Sequence, residues 1–275
     1  MKTAKKEQKE RLDKLLPELG LADTRNKAQA LIMAGKVRVN GQVVTKAGAM
    51  FDKGANITLD EIFPWAGRGA KKLLRAFEVF GLNVKEKICA DFGASTGGFT
   101  DVLLANGAKK VYAIDVGYGQ LIWRLASDPR VVVMDRTNAR YLTRENFSPD
   151  LINFASCDVS FISLKLILPV INEVLSPEGE AVILIKPQFE AGREKISGGI
   201  VKDKKIHCEV LEDVTKFIRE QTDFFITGLT HSPIKGTEGN TEFLCCLRKG
   251  INDSEELNII EIVDKAHEIL NAPKF

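Results

Sequence analysis

Residues 87–104 read KICADFGASTGGFTDVLL. An apolar run reaches Asp91, the glycines Gly93, Gly97 and Gly98 interrupt it, and a second apolar stretch follows. The pattern predicts a strand, a glycine turn and a helix. Glycine lets the backbone turn tightly there and lets a ligand approach the main chain. The next apolar run, KKVYAIDVG, closes on Asp115, 22 residues after Gly93. A carboxylate at that place can accept hydrogen bonds from both hydroxyls of a ribose. A glycine turn alone is often only structural. Together, on consecutive strands, the two features point to a nucleoside-cofactor site.

A dinucleotide would call for GxGxxG and a helix N-terminus facing a pyrophosphate. Here Asp91 stands two residues before Gly93, and Ser95-Thr96 replaces the second glycine. This D-x-G-x-S-T-G form resembles the first motif of S-adenosylmethionine-dependent methyltransferases. The resemblance implies that Asp91 lies near the methionine amino group and that Gly93, Ser95, Thr96, Gly97, Gly98 and Phe99 form the cofactor loop. It implies that Asp115 takes the ribose, and that Asp135 and Asn138, after RVVVMDR, lie against the adenine. Helix capping is the other reading of Asp135 and Asn138.

Helices and strands alternate on both sides of this stretch. KKLLRAFEVFG precedes it as a helix. After it come the strands RVVVMDR, DLINFASCD and EAVILIKPQ, with helices expected over GQLIWRLASD, ISLKLILPVINEVL and DKKIHCEVLEDVTKFIREQ. FFITGLTHSPI and NTEFLCCLRKG are two strands with no helix between them, so one of them should run antiparallel. The expectation is an α/β fold: a seven-stranded, mostly parallel, Rossmann-like sheet covered on both faces. Residues 253–271 read as a terminal amphipathic helix with Leu257, Ile260, Val263 and Ile269 on its docking face.

The first 64 residues read differently. KERLDKLLPELGLA (9–22) spaces Leu12, Leu15, Leu16 and Leu19 as one helical stripe, and Thr24 is a good N-cap for TRNKAQALIMAG. Asn40-Gly41 between β-branched runs predicts a hairpin, with a further strand around ANITL. Residues 61–70, EIFPWAGRGA, read as a linker. The division expected is a small α+β domain over 1–62, a linker over 63–70 and the α/β domain over 71–275. Residues 1–64 carry 12 Lys/Arg against 8 Asp/Glu, whereas the remainder carries 27 against 29. A basic head on a slightly acidic body suits a polyanionic partner, and a solubilising lysine-rich tail fits the same numbers. The 275 residues hold 44% hydrophobic and 28% charged side chains, which excludes wholesale disorder. No run of about 20 apolar residues is present to span a membrane, and MKTAKKEQKERLDKLL lacks the apolar core of a secretory signal. Five cysteines form no CxxC and no paired framework, consistent with a cytoplasmic protein with reduced thiols and no bound metal.

Four charged residues interrupt apolar or turn contexts near strand ends: Lys72, Asp158, Lys186 and Glu242. Buried charge at a strand end is costly unless paired, and a buried ion-pair network is the plain reading of two lysines and two acids. They also reproduce, in order, the K-D-K-E tetrad of FtsJ/RrmJ-like RNA 2′-O-methyltransferases. The strings RGAKKL, DFGASTGGFTDVLL, GYGQL, DRTNAR, DVSFISL, IKPQFE and SPIKGTEGNTEF resemble the TlyA (hemolysin A-like) family over nearly all of 65–249. Residues 9–60 are similar to the RNA-binding module of ribosomal protein S4, the αL motif. One departure is Gly67, where the family often has Ser, which implies a freer linker.

The resemblance implies S-adenosylmethionine as cofactor and the ribose 2′-hydroxyl of a cytidine in ribosomal RNA as methyl acceptor. Ribosomal subunits would be the partners, with no obligate protein partner. Lys186 is expected to be the base, with Lys72 opposing its charge by repulsion, Asp158 orienting it, and Glu242 and Lys72 steering the ribose. Arg11, Arg25, Lys27, Lys36, Arg38 and Lys46 are the expected phosphate contacts of the head, and Arg68, Lys71 and Arg75 extend that track. The rival expectations are a membrane-acting cytolysin and a non-enzymatic RNA-binding assembly factor.

Overall fold

The computed structural model describes residues 9–60, 63–250 and 257–272. Its two units divide between Pro64 and Trp65. The expected lysine-rich tail before Lys9, the start of the linker at 61–62 and the start of the terminal helix at 253–256 lie outside the described residues.

The first unit runs β1 (Lys9–Arg11), α1 (Leu12–Glu18), α2 (Arg25–Met33), β2 (Val37–Val39), β3 (Gln42–Val43), β4 (Met50–Asp52) and β5 (Ile57–Leu59). Thr24 Oγ1 caps α2 by accepting from the Lys27 amide at 3.2 Å. Asn40 and Gly41 have φ of 52° and 82°, the left-handed pair a type I′ hairpin requires, and β2 and β3 pair antiparallel around them. Leu12, Leu16, Ala28, Ile32, Val37 and Val39 form the core. The first helix is shorter than its leucine stripe suggests. Lys9–Arg11 pairs as a strand with Met50–Asp52, Pro17 cannot donate a helical hydrogen bond, and Leu19 caps the helix at 49% exposure.

The second unit contains α3 (Ala70–Phe80), β6 (Ile88–Phe92), α4 (Gly98–Ala105), β7 (Lys110–Ile114), α5 (Trp123–Ala126), β8 (Val131–Met134), β9 (Ile152–Cys157) and α6 (Leu168–Val174). It continues through β10 (Leu175–Ile185), α7 (Pro187–Glu190), α8 (Lys204–Gln221), β11 (Phe224–His231), β12 (Phe243–Lys249) and α9 (Ile259–Asn271). One seven-stranded sheet has the order β11-β12-β10-β9-β6-β7-β8. Strands β6 to β10 run parallel to one another, and β12 runs antiparallel to both β10 and β11. The chain moves outward from β6 through β7 and β8, then crosses back to β9. That reversal opens a crevice beyond the carboxyl ends of β6 and β9, the place where open α/β sheets bind ligands. Phe92, Phe154 and Phe243 from the sheet pack with Phe147, Ile171, Leu211 and Ile218 in the main core.

Several local expectations need correction. GQLIWRLASD is helical only over Trp123–Ala126, because Gly117 and Gly119 hold the preceding residues in a loop tied to Asp115 and Asp135. The helix expected over ISLKLILPVINEVL is a short 3-10 turn, Leu164–Leu166, followed by α6, whose first turn contains Pro169. Strand β10 begins earlier than expected, at Leu175, and its pairing with β9 shifts register between Leu175 and Glu180. The docking face of α9 is Ile259, Ile262, Val263 and Ala266, whereas Ile260 and Ile269 are exposed. Cover on both faces fails at edge strand β8, where Val132 and Val133 are 37% and 38% exposed.

Candidate active site

The sheet delivers four charged side chains to one crevice. Asp158 follows β9, Lys186 follows β10, and Glu242 immediately precedes the antiparallel β12. Ile185 pairs with Phe243, so the register sets Lys186 and Glu242 at the same sheet edge. Lys72 comes from the first turn of α3. Lys186 Nζ lies 2.6 Å from Asp158 Oδ1, and Lys72 Nζ lies 3.2 Å from Asp158 Oδ2 and 2.8 Å from Glu242 Oε2. The side chains of Lys72, Lys186 and Glu242 are less than 10% exposed, so the chain Lys186–Asp158–Lys72–Glu242 is a buried network of alternating charge. Direct repulsion between the lysines, expected from the sequence, is therefore not what the structure shows, because Asp158 bridges them. Burial opposes the charge on Lys72, but Asp158 and Glu242 outweigh it and raise its pKa above that of an ordinary lysine.

The tetrad is braced from behind. Lys186 Nζ donates to Ser160 Oγ at 2.8 Å. Glu190 accepts from the Ser163 hydroxyl at 2.6 Å and the Leu164 amide at 2.7 Å, which fixes the segment after Asp158 to the helix after Lys186. Asn240, 1% exposed, accepts from the Val201 amide and donates to the Gly199 carbonyl, anchoring the loop that leads to Glu242. A Cβ on Gly236 would lie 2.6 Å from Glu242 Oε1, so that loop closes directly on the carboxylate.

Two cavities meet at Gly93, Ser95, Asp158 and Ser160. One, about 260 Å³, is polar and holds the tetrad together with Arg68, Thr96 and Phe99. The other, about 380 Å³, is lined by Ile114, Val116, Ala139, Ile162 and Ile167, with Asp115, Gln120 and Asn138 as polar members. An apolar slot with a carboxylate at the end of its strand, opening onto a charged chamber, suits an adenosine whose reactive arm reaches the tetrad. Gly93 makes this possible: at φ 85°, a Cβ there would stand 2.7 Å from the Asp158 carbonyl oxygen.

The FtsJ-like methyltransferase family profile matches residues 65–249, the span that contains both cavities. This chain belongs to the FtsJ-like methyltransferase family. An S4 domain profile matches residues 10–57 of the first unit. The chain is 47% identical to the Bacillus subtilis protein named "Putative rRNA methyltransferase YqxC", covering 97% of each. It is 41% identical to the Mycobacterium tuberculosis protein named 16S/23S rRNA (cytidine-2'-O)-methyltransferase TlyA, over 91% of this chain and 97% of that one. A solved structure described as "Putative hemolysin from Streptococcus thermophilus" superposes with a TM-score of 0.75 at 47% identity, covering 96% of this chain and 97% of that chain.

S-adenosylmethionine is thus the cofactor of this methyltransferase, and the residues present fit it. Asp115 sits at the end of β7 with its oxygens accepting from the Ser95 and Gly117 amides, which leaves lone pairs for ribose hydroxyls. Gly93, Ser95, Thr96, Gly98 and Phe99 line the polar chamber, and Asn138 lines the apolar slot while also capping Arg140. Three residues named from the sequence lie elsewhere. Asp91 is fully buried, accepts from Thr100 Oγ1 at 2.7 Å and Ser156 Oγ at 2.8 Å, and lines neither cavity. Burial pushes its carboxyl up to about 6 despite those two hydroxyls. Asp135 accepts from the Gly119 amide and holds a loop. Gly97, at φ 100°, faces Leu121 and Leu125, where a Cβ would collide. Sequence reasoning missed Ser160, Thr237 and Gln120, small or neutral residues with no charge to single them out. It also expected Gly67 to make the 63–70 linker freer. The Ala66 amide donates to Asp101 at 2.9 Å, and a Cβ on Gly67 would meet Thr96 Oγ1 at 2.6 Å.

In the S4 unit, most of the expected phosphate contacts already have partners. Arg11, Arg25 and Gln29 all donate to the buried Asp13, whose pKa their hydrogen bonds hold well below the carboxylate range. Arg38 pairs with Asp60 and Lys27 with Asp23. Lys36 and Lys46 make no ion pair among the described residues. In the other unit Arg75 pairs with Glu78, Lys71 is exposed, and Arg68 is exposed at the polar chamber. Among the described residues no helix is long and apolar enough to cross a membrane.

Proposed function

We propose that this protein methylates the ribose 2′-hydroxyl of a cytidine in ribosomal RNA, with Lys186 as the base. The observation that carries this reading is that Lys186 lines the tetrad chamber in contact with Asp158 and Ser160, two of the residues at which that chamber meets the adenosine-shaped slot. S-adenosylmethionine, when bound, supplies a methyl group on a sulfonium, a strong electrophile. An alcohol needs only to be oriented and relieved of its proton to meet it. Of the two lysines, Lys72 lies between two carboxylates that hold it charged, so it is suited to fixing the ribose and not to taking a proton. Lys186 shares a single oxygen of Asp158, and its amine faces the chamber. Asp158 then aims Lys186 and balances the ammonium that forms. Glu242 keeps Lys72 in place.

The S4 unit supports binding of structured rRNA through Lys36, Lys46 and the solvent-facing sides of Arg11 and Arg25, with Lys27 and Arg38 able to exchange their surface carboxylates for phosphate. Arg68, Lys71 and Arg75 carry the same positive character toward the chamber. Domain bounds of 1–62 and 71–275 around a 63–70 linker, ribosomal subunits as the presented form of the substrate, independence of any protein partner and a cytoplasmic location belong to the same proposal. The test is transfer of labelled methyl from S-adenosylmethionine to purified ribosomal subunits, followed by mapping of 2′-O-methylated riboses. Incorporation at a cytidine ribose supports the reading, and label confined to a base overturns it.

A further inference from the structure

We propose that Ser160 is a positioning residue for Lys186: its hydroxyl and Asp158 together occupy the two N–H donors of the neutral amine, which leaves the nitrogen lone pair facing the ribose 2′-hydroxyl. The proposal rests on the reading of Lys186 as the base. Lys186 Nζ lies 2.6 Å from Asp158 Oδ1 and 2.8 Å from Ser160 Oγ. A neutral amine has two N–H bonds and one lone pair in a tetrahedral arrangement. Of the two contacts, the one to Ser160 has hydrogen-bond geometry and the one to Asp158 is a close ion pair, so Ser160 fixes one N–H, Asp158 draws the other, and one direction remains for the lone pair. With Asp158 alone, the amine keeps rotamers that turn the lone pair away from the chamber.

The proton step balances. The O–H bond of the 2′-hydroxyl breaks and its electron pair stays on oxygen. The proton joins the lone pair of Lys186, and the resulting ammonium has a third N–H where the lone pair was. Asp158 and Ser160 keep the same two donors before and after, so the base does not have to reorient during the step.

The fold invests in placing this hydroxyl. Phe161, the next residue, has φ 62°, a left-handed conformation that a bulky aromatic side chain adopts only when its surroundings impose it. On one side the Asp158 amide donates to the Phe92 carbonyl at 2.9 Å. On the other, Glu190 holds Ser163 and Leu164. Residues 158–162, anchored at both ends, therefore carry Asp158 and Ser160 into the chamber at a spacing that straddles one amine. Ser160 itself is exposed, so its truncation removes no core contact.

Steady-state methyl transfer to purified ribosomal subunits tests this with Ser160→Ala, Ser160→Thr, Lys186→Ala and the Lys186→Ala/Ser160→Ala double variant, alongside calorimetry with S-adenosylhomocysteine. For Ser160→Ala, kcat should fall about 10- to 100-fold, the effect of a slightly misdirected reacting group, with the RNA KM and S-adenosylhomocysteine affinity held within about twofold. Ser160→Thr keeps the hydroxyl and should recover most of the rate. In the Lys186→Ala background, Ser160→Ala should add no further loss. Unchanged or faster turnover in Ser160→Ala overturns the proposal, since a hydroxyl that donates to the lone pair would inhibit. Loss of S-adenosylhomocysteine affinity matching the loss of rate also overturns it, as does an additive loss in the double variant. A wild-type protein that leaves ribosomal subunits unmethylated strikes down the underlying reading and this proposal with it.

Discussion

Gly93 lies so close to Asp158 that a Cβ on the glycine would stand 2.7 Å from the aspartate carbonyl oxygen. The glycine loop after β6 and the segment after β9 that carries Asp158 are therefore in backbone contact, and one position constrains both. Gly93→Ala adds both that clash and the strain of φ 85°. It should cost about 1–3 kcal/mol of stability and displace Asp158. Thermal melting and S-adenosylhomocysteine calorimetry should show a folded but weakened protein with sharply reduced cofactor affinity. Normal affinity in this variant would contradict the packing described.

Asp91 separates the structural account from the motif. It touches Thr100 and Ser156 and lines neither cavity. Asp91→Asn should therefore keep S-adenosylhomocysteine affinity within severalfold. Because burial raises the pKa of Asp91 to about 6, the folded protein binds its proton more tightly than the unfolded chain. Its contribution to stability is full at low pH and is lost as pH rises toward 6. The asparagine variant, with no charge to bury, should match or exceed wild-type stability at pH 8 in a denaturant titration.

His207 has the opposite sign. It is fully buried on α8, its Nδ1 lies 2.9 Å from His267 Nε2, and its Nε2 lies 3.2 Å from the Val201 carbonyl. Burial first, and His267 second, lower its pKa to about 4. The unfolded chain then takes up a proton that the folded protein refuses. Stability is complete above the ordinary histidine range and falls as pH drops from about 6.5 to about 4, by roughly 3 kcal/mol over the window. Melting curves between pH 8 and pH 4.5 should show a steeper acid loss in wild type than in His207→Gln. Parallel curves would remove His207 as the cause.

Ribosomal RNA affinity should fall with rising salt as phosphate contacts release counterions. Lys36→Ala and Lys46→Ala should each lower the salt slope by about 1 without changing sequence preference. Arg25→Ala should weaken binding and also destabilise the S4 unit, because Asp13 is wholly buried and Arg25 is one of its three side-chain partners. Binding measured across a salt series, with melting as the control, distinguishes the two kinds of residue.

The parts of the fold legible in the sequence were those governed by local chemistry. Asn40-Gly41 marks its own hairpin, Thr24 its own cap, and the apolar runs of β6, β7 and β9 their own strands. The tetrad was legible because charge at the end of an apolar run is rare enough to notice. Pairing of Lys9–Arg11 with Met50–Asp52 was not, since neither segment alternates and their contact spans some forty residues. The burial of Asp91 against Thr100 and Ser156 was not legible, because position in a motif does not say which way a side chain points from the strand. Ser160 was invisible for a simpler reason: a hydroxyl among charges acquires a role only when the fold brings Lys186 to it.

The tetrad connectivity ranks its variants. Lys72→Ala leaves Glu242, whose side chain is 3% exposed, without a cation and should cost about 3–5 kcal/mol. Lys186→Ala leaves Asp158 still paired with Lys72, so the fold should survive with a smaller loss. That makes Lys186→Ala the variant in which chemistry can be read apart from architecture. The most direct test is methyl incorporation at cytidine 2′-hydroxyls of rRNA by wild type and by Lys186→Ala, each first shown to be folded and to bind S-adenosylhomocysteine. The account predicts methylation by wild type and a loss of several orders of magnitude in the variant. A folded, cofactor-binding Lys186→Ala protein that methylates rRNA at the wild-type rate would contradict it.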